Sequence, residues 1–373
     1  MSGDPDYFRT VSLKLSEVLD DIGVNKRTVL KRRRMILLHE TVRTTLNRLL
    51  DLRLSIYNFG SQSEGSTTVG LNSDMDALFC IKSFHVIRDW GEWQHGMFNL
   101  LMIQDETTSP GYCLLQMLQS DEPLPVPEHL SLYLPDVGIV SDRGRFTGGR
   151  VCLKTRFFDG AHIQGVRNGP AYTDTSISLD CVPAFLCKSW PAEAQPWLVR
   201  QGIGMWPTEE MKRYCENTGC FVVSVSSKSG LYEEFEWRIS TSLAERFLMF
   251  SLNITQMRCY IVMKMILKTF INPQCNGVLS SFMCKTVLLH CIQNTHFNNW
   301  RPSNLLACLT CCLRVLENFV REMNCPHFII PENNLMAGRI SPRNKHKILE
   351  ILQNIIRSEG RALLEIPIDN LGT

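Results

Sequence analysis

Along the first quarter of the chain, Phe8, Val11, Leu15, Val18 and Ile22 recur at helical spacing. After Gly23 a second helix is predicted from about Lys26 to Leu50, with Leu30, Leu37, Val42, Leu46 and Leu49 facing inward. At 1.5 Å per residue such a helix is a rod of roughly 37 Å, long enough to span two lobes. A short strand, Leu54 to Phe59, leads into the turn Gly60-Ser61, and Asp74 to Ile81 is the next strand. Three prolines make Leu118 to Pro127 a loop. Further strands are predicted at Val151 to Phe157, Thr175 to Leu186 and Cys220 to Ser226. From about Ser240 the pattern turns helical: Leu243 to Phe250, Met257 to Phe270, Phe282 to Ile292, Leu305 to Phe319 and Lys345 to Ile356. The expected fold class is therefore α/β (α+β) and bilobal. Spine helices and a mixed-sheet lobe occupy residues 1–240, and a helical C-terminal lobe occupies residues 241–373.

With 373 residues, 44% of them hydrophobic, the chain can bury a large core. Its 15 cysteines are irregularly spaced, and Cys308, Cys311 and Cys312 sit among Leu305, Leu309 and Leu313. No Cys-x-x-Cys pair has a matching second pair or histidine partner, so these read as reduced thiols packed in a core. With no secretory leader and no unbroken apolar span of about 18 residues, a cytoplasmic protein without a membrane segment is expected. The net charge is only +2, but its distribution is uneven. Between Asn25 and Arg48 lie Lys26, Arg27, Lys31, Arg32, Arg33, Arg34, Arg43 and Arg48 against the single acid Glu40. A cationic run on one long helix is the footprint of a phosphate backbone, although an arbitrary basic run is more often a solvated face.

Asp74 and Asp76 lie two apart on a predicted strand, so alternation points both carboxylates the same way. Two hard anionic ligands suit Mg²⁺ shared with substrate phosphates, and a third carboxylate would let a pair of ions serve in-line phosphoryl transfer. Asp180, in the run Ser176-Ile177-Ser178-Leu179-Asp180, is the best-placed acid, on the face of Ser176 and Ser178. Asp-x-Asp alone is common at solvated strand ends, and Gly-Ser alone is an ordinary turn. A strand ending in Gly60-Ser61 lets the backbone approach a triphosphate and offers amides and a hydroxyl to it. The combination of strand, Gly-Ser, Asp-x-Asp and a distant Asp is the pattern of polymerase-beta-like nucleotidyltransferases.

Gly60-Ser61-Gln62-Ser63-Glu64-Gly65 and Asn72-Ser73-Asp74-Met75-Asp76-Ala77-Leu78-Phe79 resemble the active-site signature of cyclic GMP-AMP synthase and the related Mab family. The likeness continues in collinear order through Gly169-Pro170-Ala171, Ser178-Leu179-Asp180, Trp190-Pro191, Glu236-Trp237-Arg238-Ile239-Ser240, Met263-Lys264, Leu279-Ser280-Ser281-Phe282 with Lys285-Thr286, and Phe328-Ile329-Ile330-Pro331-Glu332-Asn333-Asn334-Leu335. It covers roughly residues 25–335.

The resemblance implies a nucleotidyltransferase fold in which Asp74, Asp76 and Asp180 are catalytic and bind two Mg²⁺ ions, with Mn²⁺ able to substitute. Gly60, Ser61, Lys264 and Ser281 would meet donor phosphates, and Phe282 would stack on a base. Arg238, Ser240 and Glu245 would complete the nucleotide site near the acceptor. Ser242 to Met263 carries only Cys259 where the vertebrate enzyme has a zinc-binding insertion, so no zinc is expected. That insertion helps the enzyme hold duplex DNA, so double-stranded RNA is the activator implied, as in cGAS-like receptors, with Lys26, Arg27, Lys31, Arg32, Arg33 and Arg34 contacting it. The implied function is RNA-activated synthesis of a cyclic dinucleotide from ATP and GTP in innate immune sensing, with assembly of protomers on the ligand. Two alternatives use the same fold: a catalytically inactive binding module, and a terminal transferase that lengthens RNA.

Overall fold

A computed structural model describes residues 5–127, 133–134, 138–139, 143–146, 149–159, 166–174, 178–227 and 232–372. Helices α1 (Pro5–Asp21) and α2 (Lys26–Leu49) meet at a tight turn, where the Asn25 side chain accepts from the Thr28 amide and caps α2. β1 (Leu54–Phe59) passes directly into the short helix α3 (Gly60–Glu64), and β2 (Met75–Ile81), β3 (Phe84–Ile87), β4 (Phe98–Ile103) and β5 (Tyr112–Met117) follow. β6 (Tyr133–Leu134) and β7 (Gly138–Ile139) pair apart from the main sheet. β8 (Arg143–Phe146), β9 (Arg150–Leu153), β10 (Val166–Asn168), β11 (Ala171–Asp174) and β12 (Leu179–Cys187) come next. After α4 (Gln195–Val199) and α5 (Glu209–Asn217), β13 (Cys220–Val223) and β14 (Trp237–Ser240) complete the strands. The helical part holds α6 (Ser242–Phe250), α7 (Ile254–Ile266) with a π-helical extension Leu267–Ile271, α8 (Asn272–Cys275), α9 (Ser281–Gln293), α10 (Leu305–Glu322) and α11 (Pro342–Arg357).

The main sheet runs β1-β2-β12-β13-β14-β5-β4-β3, and β3 also touches β12, so the sheet curls back on itself. Most neighbours are antiparallel, but β2 and β12 run parallel, with Asp76 beside Asp180. Phe185 on β12 anchors the core, its ring centroid 4.6 Å from Phe84 and 5.4 Å from both Phe158 and Trp237. Every residue of α7 from Thr255 to Ile266 is buried, which explains a helix without a polar face. Pro302–Glu322 is apolar and long enough to cross a bilayer by composition, yet Leu305, Leu309, Leu313 and Leu316 lie in the protein core. All fifteen cysteines are free thiols, and most are buried.

The helical periods and the strands around Gly60 and Asp76 lie close to their predicted bounds. The strand expected from Thr175 starts instead at Leu179: Ser178 is left-handed at φ 48, so the alternation does not run back through it. Residues 175–177 lie outside the described residues. Val151 to Phe157 is strand only as far as Leu153, then a turn. Strands β3, β4 and β5, short apolar runs, lie where no element was expected.

The long helix differs more. α1 packs on the helical lobe, where Ser16 Oγ donates to the Pro302 carbonyl and Ser12 Oγ accepts from the Leu306 amide. α2 then crosses to the sheet and lies along β1 through polar contacts: Glu40 accepts from the Asn58 amide at 2.7 Å and from Arg246, and Thr44 and Asn47 donate to carbonyls of β1. Most of the residues expected to face inward do not: Val42, Leu46 and Leu49 are 56%, 51% and 78% exposed, Leu30 is also exposed, and Leu37 is half-buried. Arg33 reverses the expectation in the other direction. Its guanidinium is buried and donates to the carbonyls of Glu64, Met249 and Phe250, with Phe250 stacked beneath it at 4.7 Å. Burial pushes its pKa down, opposed by Glu64. Arg33 is thus a strut between α2, α3 and α6, not a surface cation.

Arg33→Ala leaves three buried carbonyls without their charged donor. Chemical denaturation is expected to show a loss of about 2–4 kcal/mol, whereas Arg34→Ala, at an exposed position, changes stability by less than about 0.5 kcal/mol.

Candidate active site

Three chain segments meet at the end of the β2–β12 pair. β1 delivers Phe59 opposite Asp76, and the backbone turns at Gly60, whose φ of 71° is open to glycine. A β-carbon there would stand 1.8 Å from Asp76 Oδ2, so the missing side chain is what lets the carboxylate lie against the turn. β12 runs parallel to β2 in the register Asp180↔Asp76, and side-by-side residues project to one face of a sheet. Thr173 on β11 donates to Asp180 Oδ1 at 2.7 Å and fixes that carboxylate. Asp74 stands exposed just before β2, in a loop held by Gln62 Nε2 donating to the Ser73 carbonyl and by the Thr67–Ser73 hydroxyl pair.

Helices supply the cations. Lys264, buried on α7, donates to Ser61 Oγ at 2.7 Å and to the Ser66 carbonyl at 2.6 Å. Burial lowers its pKa to about 8, with Glu64 pulling the other way. Lys285 on α9 forms a buried ion pair with Glu64 of α3. Lys268, at the π-helical turn, donates to the Leu71 carbonyl beside the Asp74 loop. Against these cations stand Asp74, Asp76, Asp180 and Glu64. Asp76 bears the consequence: burial first, then Asp180, Glu64 and Asp74, push its carboxyl up to about 6, with Lys285 the opposing charge.

Two clefts share this point. One, of ≈ 440 Å³, is lined by Gly60, Ser61, Asp76, Arg238, Ser240, Glu245, Tyr260, Ser281 and Phe282 among others. The other, of ≈ 400 Å³, takes in Ser61, Asp74, Asp76, Asp180, Lys264, Lys268 and Ser281. Both are in the range of small-molecule sites. The first has apolar walls from Phe59, Tyr260 and Phe282, the last with its ring 5.6 Å from His327. Glu245 sits beneath, 3.4 Å from His327 Nε2 and accepting from Thr241 at 3.1 Å. Burial alone would raise its pKa, but His327, Lys285 and Thr241 together hold it below the ordinary carboxylate value. Arg238 has its pKa lowered by burial.

Every residue singled out for catalysis or nucleotide contact therefore lines one of two adjoining clefts. Among the described residues no three acids, histidines or cysteines close into a preformed metal cage. The crowded, undercompensated carboxylates are nonetheless the donor set a hard divalent cation takes when phosphate oxygens and water complete its shell. Sequence reasoning overlooked the roles of Glu64, Lys268 and His327. The signal for Glu64 was its place one turn after Ser61, too short a spacing to weigh without Lys285 opposite. Of the helix cations, Lys26, Arg27, Lys31 and Arg34 are exposed. Arg32 is half-committed, donating to the Thr67 carbonyl, and with Lys31, Thr28, Met35, Ile36 and Gln62 it lines a groove against α3. Arg33 takes no part in that surface.

Residues 161–251 match the Mab-21 protein nucleotidyltransferase domain, and residues 255–354 match the Mab-21 protein HhH/H2TH-like domain. Together the two matches cover just over half of the chain, meeting close to the passage from sheet to helices. Asp180, Arg238, Ser240 and Glu245 fall in the first, and Lys264, Ser281 and Phe282 in the second.

A raised carboxyl binds its proton more tightly folded than unfolded. The stabilisation from Asp76 is therefore complete below about pH 4 and is lost as pH rises through about 6. In metal-free protein, Asp76→Asn is expected to be more stable than the parent at pH 8 by on the order of 2 kcal/mol, with the difference vanishing at pH 4 in thermal unfolding. Equal stability at both pH values would show that Asp76 carries no such strain.

Proposed function

Since the chain belongs to the Mab-21 family and carries its nucleotidyltransferase domain, we propose that it joins ATP and GTP into a cyclic dinucleotide when double-stranded RNA engages α2. The observation that supports catalysis is the position of Asp76 between two adjoining clefts, with Asp180 beside it and Asp74 at the mouth. Asp74, Asp76 and Asp180 would hold two Mg²⁺ ions, or Mn²⁺ in their place, which when bound neutralise triphosphate oxygens and acidify the acceptor hydroxyl.

The chain's own groups do the rest. Ser61 and Lys264 grip the donor phosphates, and the triphosphate's charge keeps Lys264 protonated despite burial. Ser281 adds a hydroxyl, and Phe282 stacks on a base. Arg238, Ser240 and Glu245 hold the acceptor in the larger cleft. Asp180, its Oδ1 engaged by Thr173, takes the acceptor proton at Oδ2 while pyrophosphate leaves past Lys264 and Lys268. Desolvation of the clefts makes these charges count for more than they would in water.

Activation follows from contact between α2 and α3. The groove lined by Lys31 and Arg32 also includes Gln62, which holds the loop bearing Asp74. RNA pressing on this cationic end biases the arrangement of the catalytic turn. Free thiols throughout suit a cytoplasmic setting for such a sensor.

Incubating the protein with labelled triphosphates, Mg²⁺ and duplex RNA is expected to give a small phosphatase-resistant product, abolished by Asp180→Asn. Lengthened RNA would mark a terminal transferase, and no product a binding module. Replacing Lys31 and Arg34 with Glu is expected to cut RNA-stimulated turnover at least about tenfold and flatten its salt dependence, while Mn²⁺-driven basal turnover stays near the parent's. Equal loss of both activities would separate the helix from RNA.

A further inference from the structure

α2 is built inside out beyond Arg34. Its hydrogen bonds and ion pairs to the body of the protein run through Arg33, Glu40, Thr44 and Asn47, with Ile36 and Leu37 half-buried beside them, while the opposite side carries large exposed apolar residues. Met35 and Leu38 are each 59% exposed, and Val42, Leu46 and Leu49 are exposed by half or more. At 3.6 residues per turn these five fall within about 80° of the helix circumference, opposite the polar anchors. They form a continuous stripe rather than scattered exposed side chains, and such stripes are interaction surfaces.

The spacing identifies the occupant. The positions are symmetric about Val42: Met35 lies as far before it as Leu49 lies after, and Leu38 as far before as Leu46 after. A stripe with this symmetry is complementary to itself under a two-fold axis through Val42, the self-matching property of an isologous interface. Antiparallel pairing sets Met35 on Leu49, Leu38 on Leu46 and Val42 on Val42 of a second copy. It also settles the electrostatics. Lys31 continues the same stripe toward the N-terminus, and a parallel pair would stack it on its own copy. In the antiparallel pair the two Lys31 ammonium groups stand roughly 33 Å apart along the helices, well beyond the screening length of about 8 Å.

We propose that the chain pairs with a second copy of itself through this stripe, antiparallel about Val42. The pair leaves the cationic ends of both α2 helices at opposite extremes of the interface, with Met35 shared between the interface and the groove lined by Lys31 and Arg32. The inference rests on the helix alone and is independent of the catalytic reading.

The test uses the full chain. Sedimentation velocity over a wide concentration range is expected to show a monomer–dimer equilibrium, and Val42→Glu, which sets two carboxylates on the axis, weakens it at least about tenfold. Because the side chain is exposed, the thermal midpoint of Val42→Glu stays at the parent's value, which separates lost pairing from lost folding. Val42→Cys is expected to form a disulfide-linked dimer under mild oxidation above the background of the parent, whose Cys311 is exposed. Leu38→Cys alone should not cross-link, but should do so when mixed with Leu46→Cys. A monomer at every concentration overturns the proposal, as does Leu38→Cys cross-linking to itself as readily as Val42→Cys. Protein that stays monomeric in buffer yet floats with anionic lipid vesicles would assign the stripe to a membrane surface and overturn it equally.

Discussion

Excess negative charge held at one end of a single strand pair is the constraint around which the rest of the site is arranged. Asp76 and Asp180 are neighbours in a parallel register, with Asp74 two residues away and Glu64 beneath. Nothing in the free protein cancels this fully, and burial together with Asp180 pushes the Asp76 carboxyl up to about 6. Such an arrangement costs stability when empty and is relieved by cations and by groups that carry them, the signature of a site built for charged substrates. The absence of a β-carbon at Gly60 is part of the same arrangement, because any larger residue would displace the carboxylate.

The cations around this point divide the labour by depth. Lys285 is spent on Glu64, which keeps α3 and α9 together across the lobes. Lys264 is buried against Ser61 and the Ser66 carbonyl, poised at the turn. Lys268 is exposed at the rim, where the π-helical turn shifts the register of α7 beside the smaller cleft. Helices thus close the sheet's charged end from the far side, and the clefts exist only because both lobes contribute walls.

The spine helix carries three separate tasks along one rod. Arg33 locks it to α3 and α6, the exposed cations before it form an electrostatic end, and the apolar stripe after it faces away from the protein's own core. Because Gln62 touches both the groove on α2 and the loop before Asp74, events on the outside of the rod have a short physical route to the carboxylates.

Helical periods, the strand leading into Gly60-Ser61 and the chemistry of Asp-x-Asp were legible in the sequence because each depends on residues within a few positions of one another. The short strands β3, β4 and β5 were not: runs of four to six apolar residues carry no period of their own until neighbours pair with them. Nor could local pattern decide which face of α2 turns inward, since hydrophobic residues predict a buried face only where the fold offers something apolar to bury them against. β1 offered backbone carbonyls and amides, and polar residues met them. Which of eight neighbouring cations becomes a strut, and that Asp180 arrives beside Asp76 from more than a hundred residues away, were decided by tertiary structure alone. Both outcomes come from strand pairing and burial summed over the whole chain, whereas the sequence by itself determined the elements and the kinds of groups they carry.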